Sequence, residues 1–263
     1  MSARAWARPP LIADARVRAA LFIGVLLYLV LAVGSLDIHW ARLAQGFEKG
    51  WRLLVAFMHP NFGARWGEIV AGMRESLTMT VCATVAGVAL SIPIGIGAAR
   101  NLVHPAVYLV CRSIVAVSRS LQEIIVAILF VAMVGFGPFA GFLTITFATI
   151  GFLAKLLAED IEDIDGAQVE AIAAAGGSWL QRLEYAVRPQ VMPRLIGLCL
   201  YRLDSNFRES AVVGIVGAGG IGATLNTAID RYEFDVAAAI IAIIIGVVML
   251  AEYASSHLRR RVQ

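Results

Sequence analysis

Charged residues are scarce in this sequence. Asp, Glu, Lys and Arg make up 16% of the 263 residues, and 59% of the residues are hydrophobic. A soluble domain carries about 25% charged and roughly 45–50% apolar residues. This composition excludes an ordinary soluble domain and indicates an integral membrane protein. The formal net charge of +3 comes from scattered arginines, so nothing in the charge pattern indicates nucleic-acid binding.

Cysteine is also rare, and motifs for metal or phosphate binding are missing. Cys82, Cys111 and Cys199 stand singly in apolar segments, which argues against a metal site or a disulfide framework. The four histidines lack the spacing of metal ligands or of a catalytic triad. No G-x-x-x-x-G-K-[ST], H-E-x-x-H or G-x-S-x-G motif occurs. We therefore expect a chain that is not an enzyme, does not hydrolyse ATP and binds no metal or cofactor itself.

Long apolar runs, in contrast, are abundant. A helix needs about 20 mainly apolar residues to cross a bilayer, and we predict about six such spans in an all-α polytopic membrane protein. They cover residues 17–36, 76–99, 106–134, 139–157, 195–216 and 236–255. The first run has no clear cleavage site, so we interpret it as a retained signal anchor. The third run is long and contains polar residues, as expected of two tilted or broken helices.

The distribution of positive charge predicts the orientation. With the N-terminus in the cytoplasm, twelve Lys and Arg residues lie on the inner side and six on the outer side. This bias predicts cytoplasmic termini in a bacterial inner membrane, with residues 159–194 also cytoplasmic. Apolar residues recur at helical spacing between residues 37 and 75, which predicts an outer interfacial helix. We therefore divide the chain into an N-terminal region, 1–74, and a transmembrane domain, 75–263.

The cytoplasmic segment has the pattern of two short helices around a glycine turn. Residues 169–175 favour a helix, the pair Gly176-Gly177 interrupts it, and Ser178 with Gln181 forms a capping box that starts a second helix. We expect Pro189 to end this second helix. Such a segment can dock a partner, although an ordinary loop with two short helices has the same pattern.

A glycine motif follows the fifth predicted span. Gly217, Gly219 and Gly222 match G-x-G-x-x-G, the dinucleotide-binding pattern. That fold requires alternating strands and helices, whereas apolar helices flank this motif. We predict a gate loop on the outer side, formed by these glycines and Gly220, where the backbone packs closely because side chains are absent. Glycines that merely pack helices together are the alternative.

Ionisable residues occur at membrane depth in two places. The run 201–210 contains Asp204, Arg208 and Glu209, and the third span contains Arg119 and Glu123 at i,i+4 spacing. Each such group costs about 2.5–3.5 kcal/mol at the centre of a membrane helix. Either these residues neutralise one another between helices, or they line a polar pathway.

The cytoplasmic segment resembles the signature of permease subunits from binding-protein-dependent ABC importers. That signature runs E-A-A, three residues, Gly, nine residues, I-x-L-P, and Glu170, Ala171, Gly176 and Pro189 stand at the matching positions. Ile172, Ala186 and Arg188 depart from it. Residues 188–222 are similar to phosphonate-transporter permeases of the PhnE type, and the resemblance extends from about residue 75 to the C-terminus.

The resemblance implies a methionine-permease-like helical core and a set of partners. These are a second permease copy, two cytoplasmic ATPase subunits that carry ATP and Mg, a periplasmic binding protein and membrane lipid, without nucleic acid. The ATPase subunits are expected to grip a coupling loop at about 158–194. Its contact residues would be Glu170, Ala171, Gly176, Gly177, Trp179 and Pro189.

The resemblance also implies transport of phosphonate or a related oxyanion such as phosphite. We expect Arg119 and Arg208 to offset its charge, with hydrogen bonds from Ser120, Ser205 and Asn206 and with Glu123 in the same pathway. Two alternatives stay open: a permease of the same fold for another solute such as an amino acid, and an ATP-independent channel or membrane-embedded enzyme.

Overall fold

The computed structural model describes residues 14–35 and 40–262, and helices dominate throughout this part of the chain. They are α1 (Ala15–Gly34), α2 (Trp40–Phe57), α3 (Trp66–Gly97), α4 (Pro105–Ser120), α5 (Glu123–Val134), α6 (Pro138–Glu162), α7 (Gly166–Ala174), α8 (Trp179–Arg182), α9 (Arg188–Val213), α10 (Gly220–Asp230) and α11 (Phe234–Val262). A π-helical turn, Leu183–Val187, joins α8 to α9, and a second wide turn, Gly214–Ala218, follows α9. The prediction of an all-α protein is confirmed.

The chain forms two compact units, Met1–Leu54 and Val55–Gln263. In the first unit, α1 carries an almost wholly apolar surface that is exposed along its length, as a lipid-facing helix requires. Helix α2 lies where the sequence predicts the outer helix. Residues 1–13, whose arginines contribute to the positive charge counted on the inner side, and residues 36–39, at the end of the first predicted span and the start of the predicted outer helix, lie outside the described residues. The predicted domain boundary at residues 74 and 75 falls inside α3.

The second unit is built around the close packing of α3 against α6. Small residues allow this approach: Gly87 lies against Thr149, and Gly95 lies against Leu157. Apolar side chains fill the space on both sides of this pair. One cluster comprises Ile69, Ile221, Leu225, Ala228, Val236, Ala237 and Ile240, and the other Ala99, Leu157, Ile161, Val187, Val191 and Leu195.

Two bends interrupt the helices that flank this central pair. The axes of α4 and α5 meet at 96°, and the helix that ends with Ala218 meets α10 at 56°. Within the described residues, four helices are long and apolar enough to cross a bilayer, and the two bent pairs raise the number to six. The sequence prediction of about six spans, with a break in the third, agrees with this arrangement.

Pro189 does not end the helix that begins at Trp179, contrary to the sequence prediction. The helical path continues from Trp179 through the π-helical turn and α9 to Val216, and the positive φ of Gly217 breaks it there. In this turn the N–H of Arg188 donates to the carbonyl of Leu183, five residues earlier. The wider turn changes the hydrogen-bond register just before Pro189, which has no N–H to donate. The proline therefore takes a position in the first turn of α9, where it is well tolerated.

The contact between α3 and α6 generates a stability prediction. A Cβ at residue 87 would lie 2.5 Å from Thr149 Cγ2, and Thr149 is held by hydrogen bonds from Arg202 and Asn206. We expect Gly87→Ala to cost about 1–3 kcal/mol through overpacking. The control is Gly246→Ala in α11, where nothing lies within 4 Å of the new Cβ and where alanine favours the helix. Thermal unfolding in detergent should show a lower midpoint for the first variant alone, and equal midpoints would contradict this packing.

Candidate functional site

The first candidate site is the elbow, which we define as residues 166–187 and which contains α7, α8 and the π-helical turn. Asp165 caps α7 by accepting a hydrogen bond from the N–H of Ala167 at 3.0 Å. The chain reverses at Gly176, whose φ of +81° favours glycine. The N–H of Gly177 then donates to the carbonyl of Ile172 at 2.9 Å. This closes α7 with the glycine cap that the sequence predicts.

The second short helix begins with the predicted capping box. The N–H of Gln181 donates to Ser178 Oγ at 3.4 Å, and the N–H of Ser178 donates to Gln181 Oε1 at 2.7 Å. Trp179 anchors the helix, because its Nε1 donates to the carbonyl of Leu102 at 2.9 Å. Gln190 ties the start of α7 to α9 by accepting a 2.9 Å hydrogen bond from the N–H of Asp165. The elbow is therefore fixed to the rest of the unit at both ends.

The outer face of the elbow is free for a partner. Leu180 is 70% exposed and Tyr185 is 66% exposed, which is unusual for large apolar side chains in a loop region of a folded unit. Glu170, Ala171 and Pro189, which the sequence assigns to partner coupling, are also exposed. The predicted coupling residues thus lie on an accessible surface, and their role as contacts stays a prediction.

The second candidate site is the polar groove, a cavity of about 470 Å³ at the break between α4 and α5. Its walls combine the first turn of α5 with one face of α9. The lining residues are Leu121, Gln122, Glu123, Ile124, Ser205, Arg208, Glu209, Val212 and Val213. Helix α9 has 26 residues and so rises about 39 Å. The groove therefore lies along the C-terminal half of a helix that is long enough to cross a bilayer.

Beside the groove lies a polar cluster that we call the arginine hub, in which Arg202 and Thr149 are buried and Glu123 and Glu209 stand at the groove wall. The two terminal nitrogens of Arg202 donate to the two carboxylate oxygens of Glu209 at 2.8 and 2.9 Å. Nη2 also donates to Glu123 Oε1 at 3.3 Å, and Nε donates to Thr149 Oγ1 at 3.2 Å. The guanidinium carbon lies 5.3 Å from the centre of the Phe152 ring. The hub thus connects α5, α6 and α9.

A second ion pair lies on the same helix. Arg208 Nη1 donates to Asp204 Oδ2 at 2.9 Å; the Asp204 side chain is 7% exposed and that of Arg208 is 43% exposed. Asp204 faces a separate cavity of about 240 Å³ between α3, α9 and α11. Arg208 faces the polar groove and keeps donors available there, because a guanidinium carries five N–H groups.

Half of the predicted pathway residues line the groove, namely Glu123, Ser205 and Arg208. Asn206 does not. It is fully buried, and its amide nitrogen donates to Thr84 Oγ1 at 2.8 Å and to Thr149 Oγ1 at 3.1 Å. The predicted hydrogen bond from Asn206 to a transported solute therefore has no support in this structure.

The other two predicted pathway residues, Arg119 and Ser120, lie at the end of α4. Both are exposed, and the hydroxyl of Ser120 donates back to the carbonyl of Val117 at 2.9 Å. The i,i+4 spacing of Arg119 and Glu123 does not bring them onto one helix face, because α4 ends at Ser120 and α5 begins at Glu123 after the 96° bend. Mutual neutralisation of the ionisable residues does occur, but Arg202 provides the charge that pairs with both glutamates.

Sequence reasoning gave no role to three members of this polar network: Arg202, which lies in the ionisable run 201–210, and the two threonines Thr84 and Thr149. Arg202 could have been found, because it precedes Glu209 by seven residues and therefore lies two helical turns away on the same face. The two threonines give no such signal. Each is a single hydroxyl in an apolar span, and isolated threonines in membrane helices commonly bond their own backbone, as Thr84 also does with the carbonyl of Thr80.

The predicted gate glycines form a tight turn at the far end of α9. Gly217, Gly219 and Gly220 have φ values of 96°, 79° and 71°, which only glycine adopts without strain. The carbonyl of Gly217 accepts a 3.0 Å hydrogen bond from the N–H of Gly137 in the turn between α5 and α6. Close packing around the backbone extends to Gly222, which approaches Ala211.

Helix α3 caps the helix that follows this turn. Glu75 Oε2 accepts from the N–H of Gly220 at 3.0 Å, and Ser76 Oγ accepts from the N–H of Ile221 at 2.9 Å. These bonds satisfy backbone donors at the start of α10. The geometry is that of a closely packed glycine turn, as the sequence predicts, and its action as a gate stays a prediction.

A family model described as "Binding-protein-dependent transport system inner membrane component" matches residues 91–263, which include the elbow, the polar groove and the glycine turn. The chain belongs to this family. Members are inner-membrane components of transport systems, so this family membership, together with the apolar helices, identifies a multi-pass membrane protein.

Several curated relatives of this transport family member are permeases. It is 44% identical over 203 residues to the phosphate-import permease protein PhnE of Mycolicibacterium smegmatis, covering 77% of this chain and 38% of that protein. It is 36% identical over 236 residues to the putative phosphite transport system permease protein HtxC of Stutzerimonas stutzeri, covering 89% and 83%. It is 47% identical over 112 residues to the putative cryptic phosphonate transport system permease protein PhnE2 of Escherichia coli K12, covering 43% and 92%. The chain therefore spans well under half of the mycobacterial protein's length.

Among solved structures, an inward-facing form of the MetNI methionine ABC transporter is similar to this family member. The TM-score is 0.64 at 24% sequence identity, and the match covers 74% of this chain and 96% of the other. At that identity the likeness shows the fold alone. It confirms the prediction of a methionine-permease-like helical core.

The anchoring of the elbow generates a second prediction. Trp179→Phe removes the indole donor to Leu102 while keeping an aromatic ring. A hydrogen bond contributes about 1 kcal/mol net, so we expect backbone amides of the elbow to exchange hydrogen about fivefold faster. The control is Trp66→Phe, since the Trp66 indole makes no hydrogen bond within the described residues. Unchanged exchange in the Trp179 variant would mean that this bond does not hold the elbow.

Proposed function

We propose that this chain is the permease subunit of an ATP-driven importer and forms the transmembrane pathway for phosphonate, phosphite or a related phosphorus oxyanion. The observation that carries the mechanical part of the proposal is the helical path from Trp179 to Val216, which ends where the positive φ of Gly217 breaks the helix. The path begins in the exposed elbow, borders the polar groove along its later part, residues 205–213, and ends at the glycine turn.

The partners follow from the two exposed surfaces and from the charge distribution. The positive-inside bias assigns the elbow to the cytoplasm, where an ATPase subunit can bind its exposed apolar residues. A second permease copy would close the polar groove, which is open on one side in a single chain and exposes Arg208 and Val212. A periplasmic binding protein would deliver the solute at the opposite face. In this arrangement ATP and Mg belong to the ATPase subunits.

Movement would be transmitted through α9. Closure of two ATPase subunits would displace the two elbows, and each elbow is attached to α9 by the π-helical turn and by Gln190. Because a packed helix moves as a rigid element, the displacement would tilt the groove-lining face relative to α5. That motion corresponds to the rocking of helical bundles in alternating access.

The proposed solute class follows from the relatives and from Arg208. The names of the three relatives specify phosphate, phosphite and phosphonate transport. Arg208 presents guanidinium donors to the groove beside the hydroxyl of Ser205, and arginine suits tetrahedral oxyanions because its donors match their oxygens in pairs.

A paired substitution in the elbow tests the coupling. At residue 177 a Cβ would lie 2.8 Å from the carbonyl oxygen of Ile172, whereas at Gly166 nothing lies within 4 Å. Gly177→Ala should therefore distort the turn, and co-purification of the ATPase subunit should fall severalfold relative to Gly166→Ala. Both measurements are normalised to the amount of permease in the membrane. If both variants retain equal amounts of the ATPase subunit, the elbow does not contribute to the interface.

A second substitution tests the pathway. Arg208→Gln removes charge-assisted hydrogen bonds worth about 1.5–3 kcal/mol, so uptake of phosphite into vesicles with the reconstituted complex should fall about tenfold or more. Arg231→Gln is the matched control, because Arg231 is exposed at the end of α10. Undiminished uptake by a correctly assembled Arg208 variant would exclude this residue from the pathway.

An amino-acid permease of the same fold is the second candidate, favoured by 26% identity over 203 residues to the probable D-methionine transport system permease protein MetI of Vibrio cholerae. ATP hydrolysis by the assembled complex discriminates between the two. We expect stimulation by the cognate binding protein loaded with methylphosphonate, phosphite or phosphate, and none with methionine. Stimulation by methionine alone would favour the second candidate, and a chain that transports without any ATPase subunit would be a channel.

A further inference from the structure

Arg202 lies behind the polar groove, and its donors all point to other protein groups. Its side chain is 5% exposed, and it is absent from the groove lining, whereas its partners Glu123 and Glu209 both belong to that lining. Three nitrogens are engaged by these two carboxylates and by Thr149. A ligand in the groove would therefore meet the two carboxylates and would not contact Arg202.

The charge near the groove depends on this one buried cation. The groove and its ion pairs contain Arg202 and Arg208 against Glu123, Asp204 and Glu209, a formal sum of −1. Loss of Arg202 makes the sum −2 and leaves two carboxylates at the groove wall without their counter-charge. Charges act strongly on one another in a site with little water. An oxyanion would then meet repulsion that Arg202 now cancels.

We propose that Arg202 is a positioning residue that sets the charge selectivity of the groove without touching the transported solute. By holding Glu123 and Glu209 it keeps the groove open to an oxyanion. Without Arg202 the same groove favours solutes that carry a positive group. The inference rests on the proposed function, because it concerns the solute that occupies the groove.

The alternative is a purely structural role, in which Arg202 only ties α5, α6 and α9 together. Its contacts with all three helices make this a real competitor. The two roles differ in one respect. A structural tie predicts equal losses for every solute and no rescue when Glu209 is also neutralised, whereas a charge role predicts a shift in preference that neutralising Glu209 reverses.

The test compares two phosphonates in vesicles that contain the complete complex with its binding protein. Methylphosphonate is an anion, and 2-aminoethylphosphonate carries an additional ammonium group that can pair with a freed carboxylate. The measured quantity is the ratio of aminoethylphosphonate to methylphosphonate uptake. Because every variant uses the same binding protein, that protein's own preference cancels when ratios are compared. Arg202→Gln should raise the ratio at least fivefold and lower methylphosphonate uptake about tenfold.

The double variant decides between the two roles. Arg202→Gln with Glu209→Gln replaces the ion pair by two amides of similar shape, and the uptake ratio should return to within about twofold of the natural chain. Two results would overturn the proposal and leave Arg202 with a structural role only. One is an Arg202→Gln variant that lowers the uptake of both phosphonates equally, and the other is a double variant whose uptake ratio does not return toward that of the natural chain.

A third variant covers the case in which Arg202→Gln does not assemble. Glu209→Gln alone removes a negative charge from the wall and keeps Arg202 on Glu123, so the ratio should fall at least threefold. An unchanged ratio in this variant would also overturn the proposal. Failure of the natural complex to transport either phosphonate, in contrast, would contradict the proposed solute class itself, and the inference would fall with it.

Discussion

The burial of a guanidinium at membrane depth is the constraint on which the second unit depends. A charged side chain at the centre of a membrane helix costs about 2.5–3.5 kcal/mol, and it is retained when other groups neutralise it and accept its hydrogen bonds. Arg202 obtains these acceptors from three helices: Glu209 on α9, Thr149 on α6 and Glu123 on α5. Since Glu123 is the first residue of α5, its place at the hub depends on the bend that separates α5 from α4. Neutralisation of one residue therefore fixes the relative positions of the helices that enclose the groove.

The same helix that carries Arg202 connects the two ends of the molecule. At one end the π-helical turn and Gln190 attach α9 to the elbow, and at the other the glycine turn packs against Gly137 and is capped through α3. Close backbone contacts at both ends leave little freedom for independent motion of the intervening segment. A displacement at the elbow is therefore expected to reach the groove as a movement of the whole helix. The hub provides the point where that movement changes contacts with α5 and α6.

The sequence predicted the features that depend on local pattern. The length of the apolar runs predicted the spans, and the polar residues of the third run predicted its break. The positions of Gly176, Ser178 and Gln181 predicted the chain reversal and the helix capping in the elbow. Features that depend on hydrogen-bond register or on partners distant in sequence could not be predicted from local pattern. Pro189 predicts a helix end because it lacks an N–H donor, which a regular α-helix requires, but the π-helical turn before it changes the hydrogen-bond register. Asn206 has the chemistry of a pathway residue, but Thr84 and Thr149, distant in sequence, engage its amide.

The arrangement of charge also explains how carboxylates can line a pathway proposed for oxyanions. A pathway must bind its solute well enough to admit it and weakly enough to release it. An unpaired arginine in a dry groove would hold a phosphorus oxyanion tightly through charge-assisted hydrogen bonds. Arg208 is already paired with Asp204 at 2.9 Å, and Arg202 keeps the two glutamates from repelling the solute outright. The groove and its ion pairs thus keep a formal sum of only −1, which favours release of an oxyanion over its retention. In the proposed importer, tight recognition would belong to the separate binding protein, and the permease would contribute a pathway whose charge Arg202 balances from behind the groove wall.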